Sequence, residues 1–222
     1  MQRKGIKLFQ IWEDQWRDRR PVVERLLLSK LGVLDLEKVN ARECVIQEIS
    51  KMDAEPFMNE NHIQGAVGAS VYVGLFTRDC ELVGVCQFLK TNKDGEYNLN
   101  RYATSKNVRG GFTKALKYFE RAYQPTKIIT FSDNDYSDGG LYRNNGFKCD
   151  LLLEPDYYYT DSSFLHRFHK FGYRKERFKK DPKLIFEEGL TEKELAQLNN
   201  LTRVWDSGKV RWVLDLGSKV SF

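Results

Sequence analysis

Three successive apolar runs set the pattern of this chain: Val71–Thr77, Glu81–Lys90 and Tyr97–Ala103. All are of strand length and rich in β-branched and aromatic residues. The stretches TRDCE and TNKDGE between them carry turn chemistry, which predicts an antiparallel meander. Helical spacing shows elsewhere. Trp16, Val23, Leu26, Leu27 and Leu31 recur on one face, with Pro21 marking a start and Gly32 a stop. Ser50 is placed to cap a helix running to His62, and a further helix follows the loop at 107–111 and ends near Tyr123. Lys7–Glu13, Cys44–Ile49 and Lys127–Asp133 read as strands. GGLYRNN is a short helix closed by Gly146, and FKCDLLLE and YYYT complete the sheet. Thr191 and Glu194 make a capping box for a late helix, and DSGK is the turn of a C-terminal hairpin.

This order predicts an α/β fold: a mixed central sheet with helices on both faces, extended by a C-terminal helix and β-hairpin. The expected divisions are 1–40, a strand and helix; 41–160, the α/β domain; and 161–222, a basic segment with the late helix and hairpin.

At 222 residues, 41% hydrophobic and 13% aromatic, the chain can build a sizeable core. No apolar run approaches the roughly 18 residues of a membrane span. The four cysteines form no CxxC pair, so neither a zinc site nor a redox pair is implied, and reduced thiols are expected. The net charge is +5, yet His166–Lys183 alone holds eight cations against two acids. So local an excess suggests a binding face for a polyanion.

Candidate chemistry is scattered. Glu13 and Asp14 are adjacent acids that could close a metal-dependent site, or could simply start a helix. His62 could be catalytic or a packing residue. Gln64 beside it could touch nucleic acid, as could Arg101 on the third run. Asp133 and Asp135 follow a strand end, where open sheets place ligands, and acids there also make sound turns. Arg174, Lys175, Arg177, Lys179 and Lys180 could meet phosphates, with Phe171 and Phe178 of the same basic stretch as anchors or stacking groups.

Two resemblances bear on function. From Cys44 to Tyr159 the element order resembles the GNAT acetyltransferase superfamily, with GGLYRNNGF similar to that family's helix-to-strand motif. The resemblance implies acetyl-CoA as cofactor, bound by Arg109, Gly110, Gly111, Phe112 and Thr113. Phe112 or Thr113 then stands where the family pattern has a small residue. The alternative function it implies is an acyltransferase or a Mom-like DNA-modifying enzyme. The stretches IWEDQW, ARECVIQEI, FMNENHIQG, GLFTRDCELVGVCQF and GYRKERFKK resemble a phage homing endonuclease with a nuclease like the very-short-patch repair enzymes. That resemblance implies the main expectation: a duplex-DNA-binding protein of the host cytoplasm, truncated so that most of the nuclease core is missing. No resident metal or cofactor is expected in this form. Magnesium would belong to a full-length nuclease, and the oligomeric state stays open.

Overall fold

The computed structural model describes residue 6 and residues 8–217. Lys7, where the first strand was expected to begin, lies outside the described residues, and 8–12 form no strand. The chain runs α1 (Glu13–Asp18), α2 (Arg20–Leu31), β1 (Lys38–Asn40), β2 (Val45–Glu48), α3 (Lys51–Asn61), β3 (Val71–Phe76), β4 (Leu82–Lys90) and β5 (Glu96–Thr104). It continues through β6 (Asn107–Arg109), α4 (Gly111–Tyr123), β7 (Lys127–Asp133), α5 (Gly140–Arg143), β8 (Lys148–Leu153), β9 (Tyr157–Thr160), β10 (Phe168–His169), α6 (Lys175–Lys180), α7 (Glu192–Leu198), β11 (Thr202–Trp205) and β12 (Lys209–Asp215). Two compact units result. The larger holds residues 20–132, 139–151 and 210–217; the smaller holds 8–19, 133–138 and 152–209.

The larger unit carries a seven-stranded mixed sheet in the order β2-β3-β4-β5-β7-β12-β8, an α/β arrangement. From β2 to β5 the neighbours are antiparallel; β5 and β7 are parallel. Helix α4 covers one face because Phe112, Ala115, Leu116 and Phe119 recur at helical spacing and are all buried. Phe119 stacks on Phe88 of β4 with centroids 3.7 Å apart, and Tyr97 meets it edge-on at 5.0 Å. Helix α3 covers the other face through Ala54, Phe57 and Met58, packed on Tyr72, Val85 and Ala103. Its start is fixed by the Ser50 hydroxyl, which accepts from the Asp53 amide.

The smaller unit holds a three-stranded antiparallel sheet, β10-β9-β11. Its core is Tyr159, Phe178, Leu195, Ala196 and Leu201. YYYT therefore lies in this second sheet, and the seventh strand of the main sheet is β12, from the end of the chain. The two strands flanking the turn at Asp206–Gly208 enter different sheets. The Thr191–Glu194 capping box forms as its spacing predicts.

Candidate active site

In the larger unit, β5 and β7 pair only through Glu96–Asn98 against Lys127–Ile129. The Thr130 hydroxyl then donates to the Leu99 carbonyl at 2.9 Å, and beyond it the two strands run on without pairing. The β4–β5 register also slips at this level. Gln87 opposes Arg101 and Phe88 opposes Leu99, which leaves Asn100 as a bulge. A wedge thus opens in the middle of the sheet.

The loop entering α4 sits in the same unit. Gly110 caps the helix at φ 76°, a conformation that suits glycine. A Cβ on Gly111 would lie 2.7 Å from Tyr102 Oη and 2.9 Å from Val108 Cγ1, so the backbone here packs directly on the sheet. The amides of Gly111, Phe112 and Thr113 have no hydrogen-bond partner among the described residues. They form the positive end of a 13-residue helix. Along the flank of this helix is an open cleft of about 570 Å³ lined by Asn40, Ala41, Arg42, Arg109, Gly110, Thr113, Lys114 and Lys117. Lys114 Nζ donates to the carbonyls of Ala41 and Cys44, at 2.9 and 2.6 Å, which ties the turn after β1 to this helix. β1 itself pairs in parallel with β6. Phe112 is buried against Tyr102 and Tyr142, and the Thr113 hydroxyl donates to Asn145 Oδ1 at 2.6 Å.

The α4 face of the wedge is aromatic. Burial pushes the phenol of Tyr142, on α5, above the usual range. Tyr102 and Cys86 are raised for the same reason, so all three keep their protons at neutral pH. Strand alternation puts Tyr72, Gln87 and Arg101 on the opposite, α3 face. There Arg101 donates to the carbonyls of Asn100 (2.8 Å) and Gly65 (3.4 Å). Asn100 Nδ2 donates to the Gly68 carbonyl at 3.3 Å, and the Tyr72 hydroxyl accepts from the Ala69 amide at 3.1 Å.

The residues singled out from sequence are divided between the units. His62 caps the end of α3, and its Nδ1 accepts from the amide of Gln64, whose side chain is exposed. Glu13 is exposed on α1, while Asp14 is held by Arg167 Nε at 3.0 and 2.9 Å. Buried Asp135 accepts from Trp12 Nε1 (3.0 Å) and the Ser207 amide (2.9 Å). Asp133 accepts from the Asp135 amide at 3.1 Å, and burial raises its carboxyl to about 6. These acids tie loops of the smaller unit together. In the basic run, Arg174 pairs with Glu192 (3.6 Å), Arg177 with Asp181 (2.7 Å) and Lys180 with Glu176 (3.7 Å). Lys175 and Lys179 are exposed. Phe178 is 1% exposed and belongs to the core, whereas Phe171 is 63% exposed, beneath Lys170 and Arg174. Sequence reasoning missed Tyr142, although it lies in the GGLYRNNGF motif.

No protein-family model matches the chain, and no curated protein does. Several solved structures are similar. A Bacillus subtilis acetyltransferase in complex with CoA is 18% identical, with TM-score 0.44 over 78% of this chain and 99% of that one. The ribosomal-protein-S18-alanine N-acetyltransferase of Escherichia coli is 8% identical, with TM-score 0.47 over 81% and 99%. The Vibrio cholerae spermidine/spermine N-acetyltransferase SpeG is 11% identical, with TM-score 0.46 over 79% and 94%.

The main sequence expectation is thereby corrected. The similar structures carry acetyltransferase names and nothing among them points to a homing endonuclease or a repair-type nuclease. Asp14 of IWEDQW, read as an acid of a nuclease core, is held by Arg167 Nε. The expected duplex-DNA partner falls with the nuclease reading. Much of the basic run is offset by acids of its own unit, and its aromatic Phe178 is core. Among the described residues no helix is long and apolar enough to cross a membrane.

Proposed function

We propose that this protein is an acyl-CoA-dependent N-acyltransferase. The observation that carries the reading is the opening of β5 from β7 beyond Asn98 and Ile129, in the same unit as the unpaired amides of α4. Unpaired amides at a helix N-terminus suit a pyrophosphate, and Arg42, Arg109 and Lys117 line the cleft along the same helix. The sheet opening suits an extended pantetheine arm, whose amides need the backbone groups that the missing β5–β7 pairs leave over. Bound there, an acyl-CoA supplies an activated acyl group and a thiol leaving group. Arg109, Gly110, Gly111 and Thr113 are the residues that would hold it, with Phe112 packing the loop from below. Acyl transfer to an amine needs a proton delivered at the sulfur. Tyr142 keeps its proton at Oη at neutral pH and packs on Phe112 at the start of α4, so it is the group to which we assign that donation. The departure at Thr113 is accommodated because its hydroxyl is turned to Asn145.

Calorimetric titration with CoA tests this. Saturable binding is expected, weakened roughly tenfold in Arg109→Ala by loss of a charge-assisted contact worth about 1.5 kcal/mol. No binding of CoA or acetyl-CoA at millimolar concentration would remove the proposal.

A further inference from the structure

The seven-stranded sheet ends in two edges, and they differ. β2 is four residues long and carries Gln47 and Glu48, the short and polar form in which proteins usually leave an edge. β8 is six residues long, contains no proline and reads Lys-Cys-Asp-Leu-Leu-Leu. Among the described residues its one hydrogen-bonded neighbour is β12, so the other side of its backbone has no strand against it. Five of its six residues are exposed, with Leu151 at 44% and Leu152 at 70%. An apolar edge of this kind is a template for another extended chain.

We infer that this edge is the interface of a homodimer, in which β8 pairs antiparallel with β8 of a second copy across a two-fold axis at Leu151. The strand selects this occupant because it is complementary to itself. Facing residues must share a side of the sheet, so the axis of a continuous antiparallel pair passes through a residue. With Leu151 on the axis, residues equally far on either side of it face each other. Lys148 then meets Glu154, which is exposed just past the end of the strand, and the symmetry makes this ion pair twice. Cys149 meets Leu153, and Leu151 meets itself. Asp150 meets Leu152, and its charge is already held by Arg211 of its own chain. Moving the axis by one residue opposes like charges instead. At Asp150 the two copies of that carboxylate face each other, and at Leu152 the facing pair is Asp150 and Glu154.

Sedimentation velocity on the full chain, from low to high micromolar concentration, tests this. At the upper end a mass approaching twice the 26.0 kDa of the chain is expected. Leu151→Lys and Leu151→Glu each set a charge against its own copy on the axis, so each alone should remain monomeric. Their thermal transitions should stay near the parent's, because the position is exposed. Mixed in equal amounts they should recover the doubled mass, since lysine then faces glutamate. If either variant does not fold, Lys148→Glu and Glu154→Lys serve as a second pair: each alone should weaken the dimer, and the double variant should restore it. A parent chain that stays monomeric throughout would leave the edge to another partner or to none and overturn the inference. A dimer unchanged by Leu151→Lys, or a lysine and glutamate mixture that stays monomeric, would overturn it as well.

Discussion

The Thr130 hydroxyl donates to the Leu99 carbonyl across 2.9 Å, one residue beyond the last paired positions of β5 and β7. This hydroxyl pins the apex of the wedge. Thr130→Val keeps the shape and removes the bond to the Leu99 carbonyl. Urea denaturation should show a loss of about 1–3 kcal/mol. A change below about 0.5 kcal/mol would mean that the pin carries nothing.

Gly111 has no room for a side chain, since an added Cβ meets Tyr102 Oη and Val108 Cγ1. Gly111→Ala should cost about 1–3 kcal/mol by overpacking. It should also weaken CoA binding at least tenfold, because α4 must shift its first turn away from Tyr102. An alanine variant that binds CoA like the parent would separate this loop from the cofactor.

Tyr142→Phe leaves the ring packed on Phe112 and Trp212 and removes only the proton donor. The expected result is a fall in kcat of about 100-fold with little change in CoA affinity. Equal falls in affinity and turnover would assign Tyr142 a packing role instead.

Asp133 gives a pH signature in the smaller unit. Its carboxyl is raised from 3.8 to about 6, chiefly by burial, so the folded state holds a proton that the unfolded state has released. Stability should therefore fall as pH rises from about 4 to about 6, and stay level above that. Asp133→Asn removes the penalty while its side-chain oxygen can still accept from the Asp135 amide. At pH 7.5 the variant should be the more stable protein, by about 2–3 kcal/mol from a shift of about two units, and at pH 4 the two should converge. Parallel stability curves from pH 4 to 7.5 would refute this.

The two phenylalanines of the basic run should behave differently. Phe178→Ala removes a core ring of the smaller unit and should cost about 3–5 kcal/mol, whereas Phe171→Ala, largely exposed, should stay within about 0.5 kcal/mol. Thermal denaturation of both variants checks the contrast.

Local signals in the sequence translated well into structure. The three runs predicted from Val71 to Ala103 are β3, β4 and β5; KIITFSD is β7 from end to end; and Ser50 and Thr191 cap the helices they precede. Pairing between distant strands did not translate. YYYT and the final strand have the same alternating character, yet β9 enters the small sheet and β12 the large one. That choice is made by tertiary packing, of Tyr159 against Phe178 and Leu195 and of Trp212 against Tyr142, and periodicity within a strand carries no trace of it. The charge pattern misled for a related reason. Arg174 meets Glu192, 18 positions away, so a cationic run along the sequence is partly balanced in space. The loop Arg109–Thr113 was visible because its glycines are local requirements. The wedge that gives the loop a purpose depends on where β7 stops pairing with β5.

The central claim is that α4 presents its first-turn amides to an acyl-CoA. Amide hydrogen exchange with and without CoA tests it directly, because Gly111, Phe112 and Thr113 have no hydrogen-bond partner among the described residues. The account predicts that saturating CoA slows exchange at these three amides and along β5 beyond Asn98, with much smaller effects elsewhere. CoA binding that protects other segments and leaves Gly111–Thr113 unchanged would contradict it.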